Sequence, residues 1–426
     1  MIYTYRLISL ILYPLLILVI YFRKILNKED KVRYKEKLFY TSFLNTFDNT
    51  KKLIWFHAAS IGEVQSIIPI INQINKKTNK FNFLITTITL SSAKFIKEEF
   101  KFNNNITHRY LPLDINFLIK KFISVWKPYN VFLVDSEIWP NLILNLKDKG
   151  IPISIINGRL TEKSFKRWKI LSNLANKIFS KFDLILTSNI ESKNYFKELG
   201  GRNIYHFGNI KFSNKINFFD VRNKSESILN SKNVWCAVST HNNEEEFCIK
   251  AHVQLKEKIS NILSIIIPRH IERSDQIKKL CLINKLNTQV VSKGETILSD
   301  TEIVIVNSFG VLPEYLKYAR SALIGKSLLE KLKNDGGQNP ILAAQMGCKI
   351  YHGPYVSNFK DIYKFLMDKN LSQEISTISD LSNNLINDFK LRKNLNQSKE
   401  LFDKIGETIL IKTFKEIDKF LHYENL

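Results

Sequence analysis

A chain of 426 residues, 44% hydrophobic and 12% aromatic, exceeds what one hydrophobic core usually serves and is too apolar for a disordered protein, so about two folded domains are expected. Its formal charge of +23 calls for an anionic partner: nucleic acid, an acidic membrane surface or a phosphorylated substrate. Heavy use of Lys beside Asn and Ile accounts for part of that excess, and the 63 basic residues are scattered among 40 acidic ones. Without an Arg/Gly repeat, zinc-finger spacing, aromatic RNA-binding signature or basic tail, a nucleic-acid partner is not expected. The four cysteines, Cys236, Cys248, Cys281 and Cys348, lack C-x-x-C spacing and fit a reduced, cytosolic environment. Eight histidines form no H-E-x-x-H or comparable pattern, so no metal site is expected.

Between Arg6 and Arg23 lie 16 uncharged residues, LISLILYPLLILVIYF. As a helix this run reaches about 24 Å, short of the ~30 Å hydrocarbon core unless Arg6 snorkels. No small-residue cleavage site follows, which argues for a membrane anchor over a signal peptide. Arg23, Lys24, Lys28, Lys31, Arg33, Lys35 and Lys37 come directly after it, placing the rest of the chain on the cytoplasmic side and holding it against anionic lipid. Because the run ends well before the first strand, it is expected to localise the protein without building its site.

From Lys52 to Phe207, apolar runs alternate with helical or loop segments: LIWFHA, FLITTI, VFLVDS, IPISIIN, LILTS and NIYHFG. A second series, VWCAVST, ILSIIIP, EIVIVN, SALIG and CKIYHG, begins after the polar stretch 213–233. Such alternation predicts two α/β domains with parallel sheets, the polar stretch being the boundary. From Asp361 onward the pattern is helical, suited to closing the second domain and crossing back to the first.

HAASIGEVQSIIPII, residues 57–71, joins a buried strand to a helix through a turn containing Gly62. Ser60 and Glu63 stand in the S-x-x-E spacing of a capping box. The same place, at the carboxyl end of a strand, is where open α/β sheets bind ligands. Glu63 is therefore either a cap or a catalyst. In the second half, IIIPRH sets Arg269 just past a strand, where a guanidinium can fork onto phosphate or carboxylate. VNSFGVLPEYL places Gly310 in a strand-to-helix turn. NDGGQNPILAAQMG carries Gly336 and Gly337, which permit close backbone approach and an anion-binding nest of N–H groups, with Asn339 as N-cap and Pro340 as first helical residue.

The blocks WFHAASIGEVQSIIPII, DSEIWPNLI, INGRLTEKSFKRW, GNIKF, VSTHNNEEE, IIPRHIER, GGQNPILAAQMG and HGPYVSNF follow the order and rough spacing seen in the 3-deoxy-D-manno-octulosonic acid (Kdo) transferases of lipopolysaccharide synthesis. The chain resembles that family over nearly its whole length, anchor included. The resemblance implies an α/β fold of the GT-B class, two Rossmann-like domains with parallel sheets facing a cleft. The divisions expected are a membrane anchor over 1–24, an acceptor-binding domain over 25–212, and a CMP-Kdo-binding domain with C-terminal helices over 213–426. The implied reaction moves Kdo from CMP-Kdo to the phosphorylated, acylated disaccharide precursor of lipid A (lipid IVA). It proceeds with inversion, without a cofactor or catalytic metal, at the anionic cytoplasmic surface of the inner membrane.

The family motif makes Glu63 the proton acceptor, and its first-turn position favours the ionised form through the helix dipole. Lys211 of GNIKF and Glu137 of DSEIWPN match residues assigned to transition-state stabilisation. Lys211 answers charge growing on the CMP phosphate, whereas Glu137 would orient Lys211 or steady an oxocarbenium-like sugar. Pro268, Arg269, Phe309, Gly310, Val311, Gly336, Gly337, Gln338 and Asn339 match CMP-contacting segments. Arg159 and Arg167 would meet acceptor phosphates or simply form a solvated basic helix. The chain departs from the family pattern at Gln338, usually His, at Val311, often acidic, at Lys326, usually Gly, and in a charged insert, EKLKND. Two other readings remain. One is a membrane-associated GT-B transferase using a different nucleotide sugar and lipid-linked acceptor. The other is a basic, non-enzymatic protein binding anionic lipid or nucleic acid by charge alone, whose binding would collapse with salt.

Overall fold

Runs of buried Ile, Leu, Val and Phe become strands covered on both faces, as parallel sheets require. This computed structural model describes residues 2–47, 50–214, 221–391 and 395–421. The chain divides into two compact units, Met1–Asn214 with Ile405–Leu426, and Lys215–Lys404.

The first unit is built on β1 (Lys52–His57), β2 (Phe81–Thr87), β3 (Ile106–Tyr110), β4 (Asn130–Val134), β5 (Ile153–Gly158), β6 (Leu184–Thr187) and β7 (Ile204–His206). All pair in parallel, in the order β3-β2-β1-β4-β5-β6-β7. The chain runs outward from β1 to β3 and then returns to β4, so the strand order reverses between β1 and β4. In open α/β sheets that reversal opens a crevice at the carboxyl ends of the two strands. Trp55, Trp126, Phe122 and Phe179 fill the core beside it.

The second unit is built on β8 (Asn233–Thr240), β9 (Ile262–Pro268), β10 (Thr288–Val291), β11 (Ile303–Val306), β12 (Ser321–Ile324), β13 (Lys349–His352) and β14 (Ser372–Glu374). These also pair in parallel, ordered β10-β11-β9-β8-β12-β13-β14, with the reversal between β8 and β12. The eleven apolar runs read from the sequence all become strands. The sequence reading passed over β3, β10 and β14, which are edges. The four cysteines are buried and form no disulfide.

The first helix, α1 (Ile2–Ile25), is longer than the uncharged run alone. Positions 2, 5, 6, 9, 13, 16, 17 and 20 are buried or half-buried, while those between are exposed. That is a stripe at three-to-four-residue spacing, turned toward the folded unit along most of the helix. Tyr5 donates through its hydroxyl to Asp114 Oδ2 (2.9 Å), Arg6 Nε to Asn141 Oδ1 (3.3 Å), and the Tyr13 hydroxyl to the Leu38 carbonyl. Ile17 and Ile20 pack with Tyr34, Leu38 and Leu113. Asp114 also accepts from the N–H groups of Asn141 and Leu142 (2.9 Å each), capping the helix Pro140–Asp148, and burial lifts its carboxyl to about 6. One face of α1 is thus packed on the first unit.

At the carboxyl end, the helix Leu395–Leu421 crosses back as the helical pattern suggested, and from Ile405 onward it belongs to the first unit. It seats on the segment that follows β7. A Cβ at Gly406 would stand 2.3 Å from the Phe212 carbonyl oxygen, and one at Gly208 2.7 Å from Ile409 Cδ1. Asn130 Nδ2 donates to the Phe420 carbonyl (2.8 Å), and Lys77 pairs with Asp418 (2.6 Å). Of the boundary stretch 213–233, residues 215–220 lie outside the described residues.

Candidate active site

At the β1 end of the first reversal, the helix Ile61–Lys77 starts directly after its N-cap, Ser60. Gly62 is inside this helix, not in a turn before it. Glu63 is the third helical residue, yet the predicted capping box does not form, since the Ser60 side chain makes no cap bond. Instead the Ser60 hydroxyl donates to Glu63 Oε1 (2.8 Å), and Glu63 Oε2 accepts from the N–H of Ala59 (2.7 Å). Both donors favour the carboxylate. Burial opposes them, and the negative fields of Asp135 and Glu137 add to it, so the Glu63 carboxyl is raised to about 7. The dipole argument thus gives the wrong sign here, because desolvation outweighs it. A carboxyl with this pKa holds and releases a proton near neutrality, the property wanted of a general base.

At the β4 end stand Asp135 and Glu137. Asp135 is left-handed (φ 56°). Its Oδ2 pairs with Lys211 Nζ (2.6 Å) and its Oδ1 accepts from Asn157 Nδ2 (2.6 Å). Asn157 Oδ1 accepts in turn from the Ile210 N–H (3.0 Å). Strand β4, the end of β5 and the GNIKF segment are therefore tied together through one carboxylate. Glu137 does not orient Lys211, as one reading proposed; Asp135 does. Glu137 Oε2 accepts from Trp139 Nε1–H (2.8 Å) and lies 3.1 Å from His57 Nε2. The other ring nitrogen of His57 is 2.9 Å from Thr86 Oγ1, which accepts from Trp55 Nε1–H (2.8 Å). A buried chain thus runs from the core to Glu137 and leaves its Oε1 without a hydrogen-bond partner among the described residues. Arg159 donates its backbone N–H to the Asp135 carbonyl (3.1 Å), while Arg167 is exposed on the helix Glu162–Ile170.

Asp135 and His57 were missed in the sequence, although each is a polar residue closing an apolar strand. Glu244 was missed too. It is fully buried at the second reversal, where Oε2 accepts from the N–H groups of His241 (2.9 Å) and Lys326 (2.7 Å), and Oε1 from those of Ser327 (2.8 Å) and Leu328 (3.1 Å). One carboxylate thereby fixes the turn after β12. Lys326 is left-handed there (φ 59°), which explains why glycine is the usual resident. Its Nζ pairs with Asp335 (2.7 Å), supplied by the charged insert. The two departures from the family pattern thus meet in one ion pair.

The proposed donor segments lie at strand ends of the second unit. Pro268 closes β9, and Arg269, exposed, follows it. Phe309, Gly310 and Val311 follow the neighbouring β11; Phe309 is 64% exposed and Val311 buried. Gly336, Gly337, Gln338 and Asn339 hang from the β12–β13 connection, with Tyr363 donating its hydroxyl to the Gln338 carbonyl (2.9 Å). The expected N–H nest is absent. The Gly336 N–H donates to Ser357 Oγ (3.2 Å) and that of Gly337 to the Lys326 carbonyl (2.5 Å). The helix begins at Ile341, with Pro340 as N-cap, and Asn339 Oδ1 accepts from the Ile341 N–H (3.0 Å), so the cap falls one residue later than expected.

Close approach, by contrast, holds: a Cβ at Gly336 would stand 2.2 Å from the Tyr355 carbonyl oxygen. Because that neighbour is backbone, Gly336→Ala is expected to displace the loop, costing about 1–3 kcal/mol as overpacking does. A fall in Tm together with weaker nucleotide binding in calorimetry would show it; unchanged values of both would remove the constraint.

Residues 32–214 match the family model described as 3-deoxy-D-manno-octulosonic-acid transferase (kdotransferase). A protein of that name from Rickettsia bellii is 30% identical over 98% of this chain and 99% of its own length. Another, from Haemophilus influenzae, is 28% identical over 91% of each. Among solved structures, the UDP-GlcNAc 2-epimerase of Neisseria meningitidis bound to UDP-GlcNAc matches with TM-score 0.53 and 13% identity, over 87% of this chain and 99% of that one. Anabaena HepE in complex with UDP and glucose matches with TM-score 0.53 and 11% identity, over the same shares. These two likenesses concern the fold, and with the paired seven-stranded sheets they place it in the GT-B class. Two parallel sheets with reversal points, a carboxyl raised to neutrality at the first, and full-length kinship lead to one assignment: the chain belongs to the 3-deoxy-D-manno-octulosonic acid transferase family of glycosyltransferases.

Proposed function

We propose that the chain transfers Kdo from CMP-Kdo to the phosphorylated, acylated disaccharide precursor of lipid A, inverting the anomeric carbon, at the inner surface of the inner membrane in lipopolysaccharide synthesis. The observation that carries this reading is Glu63, a buried carboxyl raised to about 7 beside Asp135 and Glu137 at the first reversal point. The acceptor hydroxyl oxygen attacks the anomeric carbon of Kdo, the bond from that carbon to the CMP phosphate breaks, Glu63 takes the hydroxyl proton, and CMP leaves with the electron pair. Lys211, held by Asp135, supplies positive charge toward the phosphate or the Kdo carboxylate. Glu137, with Oε2 occupied, turns Oε1 to the cationic sugar of the transition state. Pro268, Arg269, Phe309–Val311 and Gly336–Asn339 hold CMP, the glycine pair by its close packing.

The test incubates the purified protein with lipid A precursor and either CMP-Kdo or UDP-sugars, and weighs the products. A mass gain of Kdo units with CMP-Kdo alone supports the reading. A gain with a UDP-sugar selects the other GT-B transferase, and no turnover leaves only charge-driven binding. The configuration of the new linkage, read by NMR, tests inversion. Within this scheme Arg269→Ala is expected to weaken donor use by about 10- to 100-fold, the ~1.5–3 kcal/mol of one charge-assisted contact, with acceptor KM unchanged. Unaltered donor KM and kcat would remove Arg269 from the site.

A further inference from the structure

α1 leaves an apolar face uncovered on the first unit. Leu7, Ile11, Leu15, Leu18 and Phe22 are 55–66% exposed along one side of the helix. A patch of this extent on a folded unit marks an interface. The opposite side is the stripe already docked on the unit through Tyr5, Arg6, Tyr13 and Ile20, which spans roughly 27 Å at 1.5 Å per residue.

A helix crossing a bilayer must surround itself with hydrocarbon over ~30 Å. Here that would carry Asp114 and Asn141, near the start of the stripe, and Lys37 and Glu29, near its end, into lipid along with the helix. Burying such groups in hydrocarbon is prohibitive. Undocking α1 instead would strip Asp114 of a donor and bare Leu38 and Leu113.

The charges that follow the helix agree. Of the seven cations after Tyr21, Arg23 and Lys37 pair with Glu29, and Arg33 with Glu36. Lys28, Lys31 and Lys35 are exposed and have no carboxylate partner among the described residues. They are available to lipid phosphates at the surface next to the apolar face.

Building on the membrane location proposed above, we infer that α1 does not span the bilayer but lies in the plane of an anionic membrane surface, its exposed face in the acyl boundary and its other face fixed to the acceptor unit. The catalytic unit then rides on the lipid as one body, with helix Pro140–Asp148, which follows Glu137 and Trp139, touching the membrane-bound helix through Asn141.

The experiment places single nitroxide-labelled cysteines at Tyr3, Leu7, Ile11, Leu15, Leu18 and Phe22 of the full chain, the four native cysteines being buried. Depth is read from oxygen and nickel-chelate relaxation in phosphatidylethanolamine vesicles containing phosphatidylglycerol. We expect one shallow depth at all six sites, about 5–10 Å below the headgroups. A profile with Ile11 and Leu15 near the bilayer centre and Tyr3 and Phe22 at opposite surfaces would show a spanning helix and overturn the inference. Dipolar broadening between labels without oxygen exposure would put a second copy on this face, again overturning it. A chain that ignores the vesicles but turns over dispersed acceptor would refute the membrane location alone among the functional proposals. Failure of turnover in vesicles, with a shallow profile, would refute the proposed reaction and leave the helix orientation standing.

Discussion

Glu63→Gln is expected to lower kcat by about 100- to 10,000-fold, the range for a lost general base, while folding and CMP-Kdo binding persist. Glutamine keeps the size of the Glu63 side chain and can still accept from the Ala59 N–H, and the Ser60 hydroxyl can turn to accept from the new amide. Two pH measurements separate base from cap. In the wild type the ionised carboxylate is the active form, so kcat/KM should rise with pH through about 7 and level off above it; the variant should lose that limb. Stability runs in the other sense. The folded-state pKa of Glu63 is raised above its ordinary value of 4.5, so its favourable contribution is full below pH 4.5 and is lost as pH rises through about 7. The substituted amide stays neutral, and the variant should melt higher than the wild type at pH 8 and close to it at pH 5. A cap alone would give a loss of up to ~1 kcal/mol at both pH values with turnover preserved. Near-normal kcat would falsify the base assignment.

Lys211→Met should be almost as damaging, for two separable reasons. Lys211 and Asp135 side chains are only 15% and 14% exposed, so removing the cation strands a largely buried carboxylate. Breaking such a pair costs about 3–5 kcal/mol, and the residual exposure points to the lower end. Asp135 also raises the Glu63 carboxyl, and without its counter-ion that effect should grow, moving the acid limb of the rate profile above pH 7. Loss of a charge aimed at the departing phosphate adds about 100- to 1,000-fold in kcat. The double variant Lys211→Met/Asp135→Asn tells the two apart. Removing the stranded charge should restore most of the Tm, but turnover should stay low. Recovery of both would mean that Lys211 is needed only to neutralise Asp135.

What the sequence disclosed depended on burial. Strands covered on both faces, such as β2 and β9, read as largely apolar runs. The missed strands β3, β10 and β14 are edges; ITHRY, TQVV and SQE mix polar residues and lack that signal. At the site, Glu63, Glu137 and Lys211 were recognised through motif resemblance, but their partners were not. Asp135 and Lys211 are 76 residues apart, and His57 and Glu137 80, distances over which local spacing carries no information. The pairing of β1 with β4 brings His57 to Glu137, and the segment after β7, held by Asn157, returns Lys211 to Asp135. The environment of Glu63 was misjudged for the same reason: its helix position is local and legible, whereas the burial and neighbouring carboxylates that set its pKa are tertiary.

Seating Ile405–Leu426 on the first unit has a consequence for how the protein is made. During synthesis the β7 segment with Gly208, Lys211 and Phe212 leaves the ribosome long before the helix that covers it. The intervening Lys215–Lys404 take roughly 10–40 s to translate at 5–20 residues per second. Through that interval Lys211 sits on an unbraced segment, and the second unit, contiguous in the chain, can complete its fold first. A nascent chain halted before Ile405 therefore carries all the proposed site residues without the helix that braces the GNIKF segment. The last stretch of the message therefore supplies the packing that closes over Gly208 and Phe212, and a chain halted before it is expected to hold that segment less firmly.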